Sequence, residues 1–322
     1  MAPRMPKQSQ EPLKQQPGIP LPIDPEGVLF PNLWIGTWSM GGEGFGPHDL
    51  GLSLRTLETA YEQGVRHFDT AGFYAQGRSE VLLAKAFGRV RPKVFISTKG
   101  GLERVGRKVW HDARPEALRQ ALFQSLDRLK TDYVDLFQLH WPDPETPLDE
   151  SISALKALKQ EGLIRYWGVG NLSAHEVLGY IGPGEMAPHQ VHFNPIYRSS
   201  FQVLQAGRRD FRCLNCIVSP LEQGLLASGI YLSKELGKKD IRRRNPCFHD
   251  KGIRKWLEGL FHRCSLRGLS PVTVVLSWIL SHKEVDVVIP GPRKPDQLDE
   301  ITSCFGRSYD SVELSDLFHD NG

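Results

Sequence analysis

Apolar runs alternate with amphipathic segments from about residue 29 onward, and this alternation constrains the fold more than any other feature. Residues 52–64, for example, have helical spacing and end at Gly64, a helix-stopping residue. Strands that alternate with helices predict a parallel sheet, and eight of them predict a single (β/α)8 TIM barrel. The eight apolar runs are LWIGTW, VRHFD, KVFIST, YVDLFQLH, IRYWGVG, QVHFN, CIVSP and VDVVIP.

The alternative fold is a doubly wound open sheet, but no Gly-rich dinucleotide fingerprint follows the first strand. Residues 1–27 are rich in Pro and Gln and lack apolar periodicity, so they predict a disordered N-terminal arm. We therefore expect two parts, an arm at 1–27 and a barrel at 28–322.

Composition and charge leave few other classes of protein open. The net charge of +3 is small and the 40 basic residues are scattered, so nucleic-acid binding has little support outside the arginine run at 242–244. We expect that run to lie in a solvated loop. No segment resembles the apolar part of a signal peptide or reaches the roughly 18 residues of a membrane span. We expect a cytoplasmic protein without nucleic-acid or membrane partners.

The five cysteines are irregularly spaced, which argues against a disulfide framework and for a reducing compartment. Cys213 and Cys216 form one CxxC motif, and Cys247, His249 and Cys264 follow, so a metal site is one interpretation. The structural interpretation is favoured, because no second CxxC exists and a predicted strand begins at Cys216. We expect no metal.

Three successive predicted strands each place titratable side chains at their carboxyl end. Asp69 and Tyr74 follow the second strand. Lys99 follows the third strand, and His140 ends the fourth. Singly, each residue could be a packing or solvated side chain. Together they predict an active site, because barrel enzymes carry their chemistry at the carboxyl ends of the strands.

These residues stand in motifs that resemble those of the aldo/keto reductases, over roughly residues 29–304. The resemblance implies a barrel that binds NADPH without a Rossmann domain and reversibly reduces a small-molecule carbonyl. Asp69, Tyr74, Lys99 and His140 match the family's catalytic residues. The motifs, in the family's order and at about its separations, are FDTAGFY, ISTKG, QLHWPDP, GVGN, VSPLEQGLL, RRRNPCF and VIPGPRKPDQLDE.

The chemistry accounts for these residue types. Hydride addition to a carbonyl carbon places negative charge on the oxygen, which then needs a proton donor. The resemblance makes Tyr74 that donor. Lys99 would lower the pKa of Tyr74, and Asp69 would hold Lys99 in place. His140 would donate a hydrogen bond that orients the carbonyl oxygen.

The resemblance also assigns the residues that bind NADPH, from the nicotinamide to the adenosine end. Three positions depart from the family pattern: Gly170, where a Ser is frequent, Val218, where an aromatic ring is common, and Ile301, where an Asn is frequent. We expect them to affect cofactor affinity more than the reaction. The assigned residues are Gly36, Thr37, Trp38, Asp69, Asn171, Gln190, Ser219, Pro220, Leu221, Gly224, Gly291, Arg293, Gln297 and Glu300.

Aromatic side chains are candidates for the walls of an apolar substrate pocket. Each could instead belong to the core, and for Phe193 the two interpretations have equal support. The candidates are Trp38, Phe73, Trp110, Trp141 and Phe193.

Two functions remain open at this point. The first is an NADP(H)-dependent oxidoreductase that acts on an aldehyde, ketone or keto-sugar, as a monomer or weak homo-oligomer. The second is a nucleotide-binding regulatory or interaction subunit with the same barrel and little turnover. The presence of all four predicted catalytic residues favours the enzyme.

Overall fold

The computed structural model of the protein describes residues 32–318, except 47, 107, 183–185, 210–212, 230, 231, 233, 234 and 305–310. The predicted N-terminal arm therefore lies outside the described residues. Eight parallel strands form one sheet in chain order, and two further strands, β4 and β5, form an antiparallel hairpin. The strands are β1 (Ile35–Gly36), β2 (His67–Asp69), β3 (Phe95–Gly100), β4 (Leu102–Val105), β5 (Lys108–His111), β6 (Val134–Leu139), β7 (Ile164–Gly170), β8 (Ala187–His192), β9 (Cys213–Val218) and β10 (Val287–Val288).

The first and last strands of the sheet join, so the sheet closes on itself. Leu33 forms a parallel bridge with Val288. The backbone N–H of Trp34 donates to the Val288 carbonyl at 3.0 Å, and that of Gly36 donates to the Pro290 carbonyl at 2.8 Å. The predicted eight-stranded barrel is confirmed.

Helices cover the outside of the barrel, and several of them begin at capping residues that the sequence supplies. Asp49 accepts a hydrogen bond from the Leu52 N–H, and Ser173 forms a capping box with Glu176. The helices are α1 (Leu50–Glu62), α2 (Arg78–Phe87), α3 (Pro115–Leu129), α4 (Leu148–Gln160), α5 (Ala174–Leu178), α6 (Phe201–Arg209), α7 (Lys251–Leu266), α8 (Pro271–Leu280), α9 (Asp296–Ser303) and α10 (Ser311–Phe318).

Side chains inside the barrel form an apolar layer below a polar one. Strand side chains alternate between the two faces of the sheet, so every second residue points inward. Toward the carboxyl ends the inward residues become polar: Ser97, Lys99, Gln138 and Gln190 are all buried. This change places the polar groups at the mouth. The apolar layer consists of Trp34, Phe95, Leu136, Tyr166, Leu214, Cys216, Val287 and Ile289.

Several elements differ from the sequence-based expectations. The predicted strand at 33–38 is reduced to Ile35–Gly36, because Trp38–Met40 form a 3-10 turn. The hairpin β4–β5 and the helices α6 and α10 had no counterpart in the apolar pattern. The hairpin and both helices are short, and short elements give few periods for a pattern to be recognised.

The arginine run at 242–244 is not wholly a solvated loop, and that expectation was wrong for Arg242. Its side chain is 6% exposed and its Nη2 lies 2.6 Å from Oδ2 of Asp240. Nη2 also donates to the carbonyl of Phe45 at 3.4 Å. The arginine is buried because it joins this segment to the loop that follows β1.

Candidate active site

The predicted active-site residues meet at the carboxyl end of the barrel. Asp69 is the last residue of β2 and lies in register with Ser97 of β3. Lys99 follows two residues later on the same face of β3, and His140 directly follows β6. The strand ends therefore carry these side chains to one mouth.

Asp69 and Lys99 form a buried ion pair. Nζ of Lys99 lies 2.7 Å from Oδ2 of Asp69 and donates a second hydrogen bond to the Thr70 carbonyl at 2.8 Å. Each of the two charged residues is 3% exposed. Burial alone would lower the pKa of Lys99, but the Asp69 carboxylate and the Tyr74 oxygen outweigh it, so this pKa is raised. The lysine is therefore a fixed ammonium at neutral pH.

The other carboxylate oxygen of Asp69 accepts two side-chain hydrogen bonds. Oγ of Ser97 donates to Oδ1 at 3.0 Å, and Nε2 of Gln190 donates to the same atom at 2.6 Å. Gln138 in turn donates to Oγ of Ser97 at 2.8 Å. The motifs had not identified Ser97 or Gln138. A signal was available, because Ser97 lies two residues before Lys99 and so faces the same way along the strand.

Tyr74 lies against the ammonium of Lys99. Nζ of Lys99 is 3.4 Å from the phenolic oxygen and 5.1 Å from the ring centroid. Lys99 was expected to lower the pKa of Tyr74. It does act in that direction, but desolvation of the phenol by burial is larger, and the pKa of Tyr74 is raised above its ordinary value. Tyr74 is thus protonated at neutral pH and can act as a proton donor.

His140 lies at the other side of the phenol. The two rings are 5.7 Å apart between centroids and nearly perpendicular, at 81°. Burial, followed by the charges of Lys99 and His111, holds the pKa of His140 well below its ordinary value. A neutral imidazole carries one N–H, so His140 can donate one hydrogen bond without adding positive charge.

The residues assigned to the nicotinamide end of the cofactor lie beside Asp69. The N–H and Oγ1 of Thr37 both donate to the Asp69 carbonyl, at 2.9 and 3.1 Å. A Cβ on Gly36 would lie 3.3 Å from Cγ2 of Ile289, so the closed barrel has little space for a side chain there. Trp38 is 36% exposed and its ring stacks 6.0 Å from that of Tyr74.

Two amide side chains at this mouth fit a carboxamide. Nε2 of Gln190 donates to Asp69, and Nδ2 of Asn171 donates to the His140 carbonyl at 2.8 Å. Both partners are hydrogen-bond acceptors, so each amide must point its –NH2 group toward its partner. Among the described residues, the side-chain carbonyl oxygens of Gln190 and Asn171 accept no hydrogen bond. Free acceptors of this kind suit the –NH2 group of a nicotinamide carboxamide.

The turn after β9, assigned to the pyrophosphate, has an unusual backbone. Ser219 has φ of 51°, and Gly224 has φ of 93°. Pro220 and Leu221 lie between them, and the N–H of Gly224 donates to the Leu221 carbonyl at 2.9 Å. Left-handed residues turn successive N–H groups toward one side, and such turns bind anions. Because the N–H groups of Glu222 and Gly224 donate to carbonyls within the turn and Pro220 has none, diphosphate binding here stays a prediction.

Glu222 was absent from the predicted site although it lies within this turn. Its side chain is 2% exposed and accepts from Nε2 of His192 at 2.8 Å, Nδ2 of Asn194 at 2.7 Å and Nδ2 of Asn245 at 2.6 Å. Burial would raise the pKa of Glu222, but these donors outweigh it and the pKa is lowered. The carboxylate ties the turn to β8 and to the segment at 241–248.

The residues assigned to the adenosine end are spread along the loop after β10 and helix α9. Gly291 packs on β1, since a Cβ there would lie 3.3 Å from the Gly36 carbonyl. Oε1 of Gln297 accepts from the Arg293 N–H at 2.7 Å, and Nη1 of Arg293 donates to the Phe45 carbonyl at 2.7 Å. Glu300 is exposed and accepts from Oγ of Ser270 at 3.4 Å.

Residues 32–317 match the sequence profile described as the aldo/keto reductase family. The chain belongs to the aldo/keto reductase family. It is 29% identical over 315 residues to the NADH-specific methylglyoxal reductase of Escherichia coli (strain K12), across 92% of this chain and 94% of that protein. The resemblance inferred from the motifs is confirmed, and the family is one of oxidoreductases.

Solved structures of aldo/keto reductases share this fold. A glycerol dehydrogenase from Gluconobacter oxydans has a TM-score of 0.80 and 30% identity, with 93% of this chain and 94% of that chain covered. An aldo-keto reductase from Klebsiella pneumoniae in complex with NADPH has a TM-score of 0.69 and 24% identity, with 94% of each chain covered.

The mouth of this aldo/keto reductase has three of the five predicted aromatic residues. Trp38 stacks on Tyr74, and Phe73 lies edge-on to His140, 6.4 Å between centroids. Trp141 is 41% exposed directly after His140. Phe193 is not in the mouth: it is 1% exposed and stacks on Trp278 and Phe201 of the outer helices. The core interpretation is the correct one for Phe193.

Trp110 is also placed differently from the prediction. In the hairpin, Arg104 lies opposite Val109, and Trp110 lies opposite Glu103. Residues directly opposite each other share a face, so Trp110 is on the face away from Arg104. The guanidinium of Arg104 lies 5.1 Å from the Phe73 ring centroid. The hairpin face that carries Arg104 is therefore the face toward the mouth. Trp110 is 51% exposed on the other face.

Two hairpin residues that the motifs had not identified contact the mouth instead. Arg104 lies over Phe73 and pairs with Glu43 of the loop after β1. Nδ1 of His111 lies 2.9 Å from the Pro142 carbonyl, and its ring is 6.1 Å from that of Trp141. The sequence signal for this hairpin was Gly106, because glycine is a turn residue. In the structure Gly106 has φ of 63°.

The three departures from the family pattern have different surroundings. A Cβ on Gly170 would lie 3.2 Å from the His140 carbonyl, so a serine there would be crowded. Ile301 is 2% exposed and belongs to the outer core. Val218 is half-buried at the end of β9 and packs on the apolar layer inside the barrel.

Cys213 and Cys216 lie on opposite faces of β9. Cys213 belongs to the outer core and Cys216 to the barrel interior. Among the described residues, no group of three or more His, Cys, Asp or Glu side chains could hold a metal ion. In the same part of the chain, none of the helices has the length and apolar character needed to cross a membrane.

Proposed function

We propose that this chain is an NADP(H)-dependent oxidoreductase that reversibly reduces an aldehyde, ketone or keto-sugar to an alcohol. The observation that carries the proposal is the continuous chain of contacts from Asp69 through Lys99 to the Tyr74 phenol, with His140 beside it. A protonated phenol next to a fixed ammonium is the arrangement that proton donation to a carbonyl oxygen requires.

Each residue has one role in the proposed reaction. The cofactor, when bound, supplies a hydride to the carbonyl carbon. Tyr74 gives its proton to the carbonyl oxygen, and Lys99 stabilises the phenolate that remains. Neutral His140 donates a hydrogen bond to the same oxygen and fixes its direction. In the reverse direction the phenolate takes the proton back.

The choice of NADP(H) over NAD(H) rests on charge. Arg293 and Lys294 lie beside the predicted adenosine end, and a 2′-phosphate there would accept charge-assisted hydrogen bonds from an arginine. A curated relative is named as NADH-specific and a structural neighbour holds NADPH, so relatives of this chain include both preferences. We propose NADPH for this chain.

The remaining proposals come from the sequence alone. They are an independent folding unit at 28–322, a cytoplasmic location and a monomeric or weakly associated state. The alternative function, a regulatory subunit with little turnover, would not require a proton donor held against a lysine. No observation specific to this chain favours it.

The deciding experiment follows the absorbance of NADPH with the purified full-length chain against a panel of aldehydes, ketones and keto-sugars. The expected result is saturable oxidation of NADPH by at least one class. The variant Tyr74→Phe is the control for contaminating reductases. Binding of NADPH without turnover on any member of the panel would instead support the regulatory alternative.

A further inference from the structure

A buried carboxylate lies beneath the loop that carries Tyr74. Glu80 is in the first turn of α2 and its side chain is fully buried. Its Oε1 accepts a hydrogen bond from Oγ1 of Thr98 at 2.6 Å, and its Oε2 lies 2.5 Å from Nε of Arg128 on α3. Glu80 thus joins one strand and two helices through charged or polar contacts.

Arg128 supports the loop from below. Gly77 has φ of 82°, and a Cβ at that position would overlap Cδ and Nε of Arg128. A Cβ on Gly72 would lie 2.8 Å from Nη2 of the same arginine. At Gly77 only glycine allows the loop to lie this close to the arginine, and at Gly72 the loop approaches the end of the same side chain.

The loop between these glycines has a strained backbone. Ala75 has φ of 49° and Gln76 has φ of 55°, in the left-handed region that residues with a side chain rarely adopt. Such conformations persist only when the surrounding structure holds them, and they cluster at active sites. Here Arg128 contacts the loop on one side, and the Trp38 ring stacks on Tyr74 at the mouth.

The contacts Thr98–Glu80–Arg128 also reach the strand that carries Lys99. Thr98 immediately precedes Lys99, and the two side chains point to opposite faces of β3. Glu80 therefore bonds to the strand that carries the lysine and, through Arg128, contacts the loop that carries the tyrosine. These two parts of the chain carry Nζ of Lys99 and the Tyr74 oxygen, which lie 3.4 Å apart.

We propose that Arg128, acting through Glu80 and Thr98, is a positioning residue that sets the distance between Tyr74 and Lys99. The role rests on the proposed function, in which that distance governs proton transfer. Arg128 touches neither substrate nor cofactor in this scheme. Its guanidinium suits the task, because a planar fork fixes direction as well as charge, whereas a lysine supplies charge alone.

The test compares Arg128→Lys with Arg119→Lys in the full-length protein. Arg119 is the matched control, since it lies on the same helix and pairs with Glu161 on the surface. We expect Arg128→Lys to lower kcat roughly 10- to 100-fold, the scale of a misplaced catalytic group, while the Kd for NADPH changes less than about twofold. The control variant should leave both values unchanged.

A second readout reports on the chemical step. If Tyr74 is displaced, proton and hydride transfer become slower than product release. The isotope effect on kcat with NADPH deuterated at C4 should therefore increase in Arg128→Lys and not in Arg119→Lys. A merely structural role would lower the thermal midpoint and leave kcat of the folded protein and its isotope effect unchanged. That outcome would overturn the proposal.

A third readout requires no turnover. The ionisation of Tyr74 is obtained from the ultraviolet titration of the protein minus that of Tyr74→Phe. The titratable groups that face the phenol are Lys99, Asp69 and His140. A longer contact with Lys99 removes part of its stabilisation of the phenolate, so the midpoint should rise by about 0.5 pH unit or more in Arg128→Lys. An unchanged midpoint would overturn the proposal.

Thr98→Val keeps the test decisive if Arg128→Lys does not fold. Valine has nearly the shape of threonine but cannot donate to Glu80, and the Glu80–Arg128 pair remains. We expect a loss in kcat in the same direction and a raised Tyr74 midpoint. If the unmodified chain reduced no carbonyl, the proposed function would fail, and the Tyr74 titration would still decide the positioning role.

Discussion

Nε2 of Gln190 donates to Oδ1 of Asp69 at 2.6 Å, although the two residues are 121 positions apart in the chain. The carboxylate that holds Lys99 therefore also fixes the direction of an amide assigned to the cofactor. Because a carboxylate only accepts hydrogen bonds, it turns the Gln190 carbonyl oxygen toward the mouth. The proposed proton transfer and the proposed cofactor binding thus share one buried group.

This shared group predicts two effects from Asp69→Asn. The variant should lose most of its kcat, because Lys99 is left as a buried ammonium without a counter-charge. It should also bind NADPH several-fold more weakly, because an asparagine can present its –NH2 to Gln190 and reverse that amide, which loses one hydrogen bond of about 1 kcal/mol. Fluorescence titration with NADPH measures the second effect.

Ser97→Ala is the matched control for this prediction, since it removes a hydrogen bond to the same Oδ1 without altering Lys99 or Gln190. Its NADPH affinity should stay near that of the unmodified chain. An Asp69→Asn protein that is folded and binds NADPH normally would show that Gln190 is not turned by the carboxylate.

The phenol of Tyr74 should be needed for turnover and not for cofactor binding. Tyr74→Phe keeps the ring that stacks on Trp38 and removes only the proton donor. Loss of general acid catalysis should lower kcat about a hundredfold or more, with NADPH affinity nearly unchanged. Steady-state kinetics measure the loss of kcat, and titration with NADPH measures the cofactor affinity. Retention of most of the rate would mean that another group donates the proton.

The meeting of the candidate catalytic residues at neighbouring strand ends could be predicted from the sequence because the signals are local. Asp69, Tyr74 and Lys99 each stand within a few residues of an apolar strand, and parallel register brings neighbouring strand ends together. The sign of the Tyr74 pKa shift could not be obtained this way. Burial raises the pKa of Tyr74 and the Lys99 ammonium lowers it, so the sign depends on which effect is larger. Burial is a property of the folded chain.

Contacts across the barrel could not be predicted from the sequence either. Gln190 meets Asp69 only when the sheet closes, and Phe193 turns outward because it follows His192 at the end of β8 and packs on Trp278. The direction of Trp110 depends on which hairpin residues lie opposite each other. One residue of slip in register would exchange the two faces, so composition alone cannot assign it.

Cofactor preference should follow the charge of Arg293. Arg293→Ala should weaken NADPH binding by roughly 1.5–3 kcal/mol, the scale of a hydrogen bond to a charged group, and should barely change NADH binding. Arg243→Ala is the control, because Arg243 is an exposed arginine of a neighbouring loop. Since Arg293 also donates to the Phe45 carbonyl, an equal loss for both cofactors would assign it to loop structure instead.

His189 is one of the buried histidines that should make stability fall in mild acid. Burial lowers the pKa of His189 to about 4, while its side chain is 0% exposed and lies 2.7 Å from the Leu172 carbonyl. The unfolded chain binds this proton near pH 6.5 and the folded chain does not, so the free energy of unfolding decreases as pH falls from about 6.5 to 4. The full loss from this group is about 3 kcal/mol.

His189→Gln should reduce this pH dependence, because glutamine offers an N–H to the Leu172 carbonyl and does not titrate. Urea unfolding at pH 7 and at pH 4.5 gives the difference for each protein. His262→Gln, at an exposed histidine, should leave the difference unchanged. If His189→Gln lost as much stability in acid as the unmodified chain, other groups would account for the dependence.

Val218 should limit how tightly the nicotinamide is held. Val218 is half-buried at the end of β9, where the family pattern commonly presents an aromatic ring, and a valine can contact a ring without stacking on it. The absent stacking contribution is about 0.5–1.5 kcal/mol, so Val218→Tyr should tighten NADPH binding several-fold. Fluorescence titration of the purified variant measures the change.

The size of the new side chain sets the control for this variant. A tyrosine that overpacks the barrel interior would strain it and could hide the gain in affinity, so the thermal midpoint is measured alongside the Kd. Val218→Leu fills comparable apolar space without a ring and should leave the NADPH affinity unchanged. Phe193 cannot supply the missing ring, because it stacks on Trp278 among the outer helices. A stable Val218→Tyr with unaltered affinity would therefore show that the nicotinamide does not lie over β9.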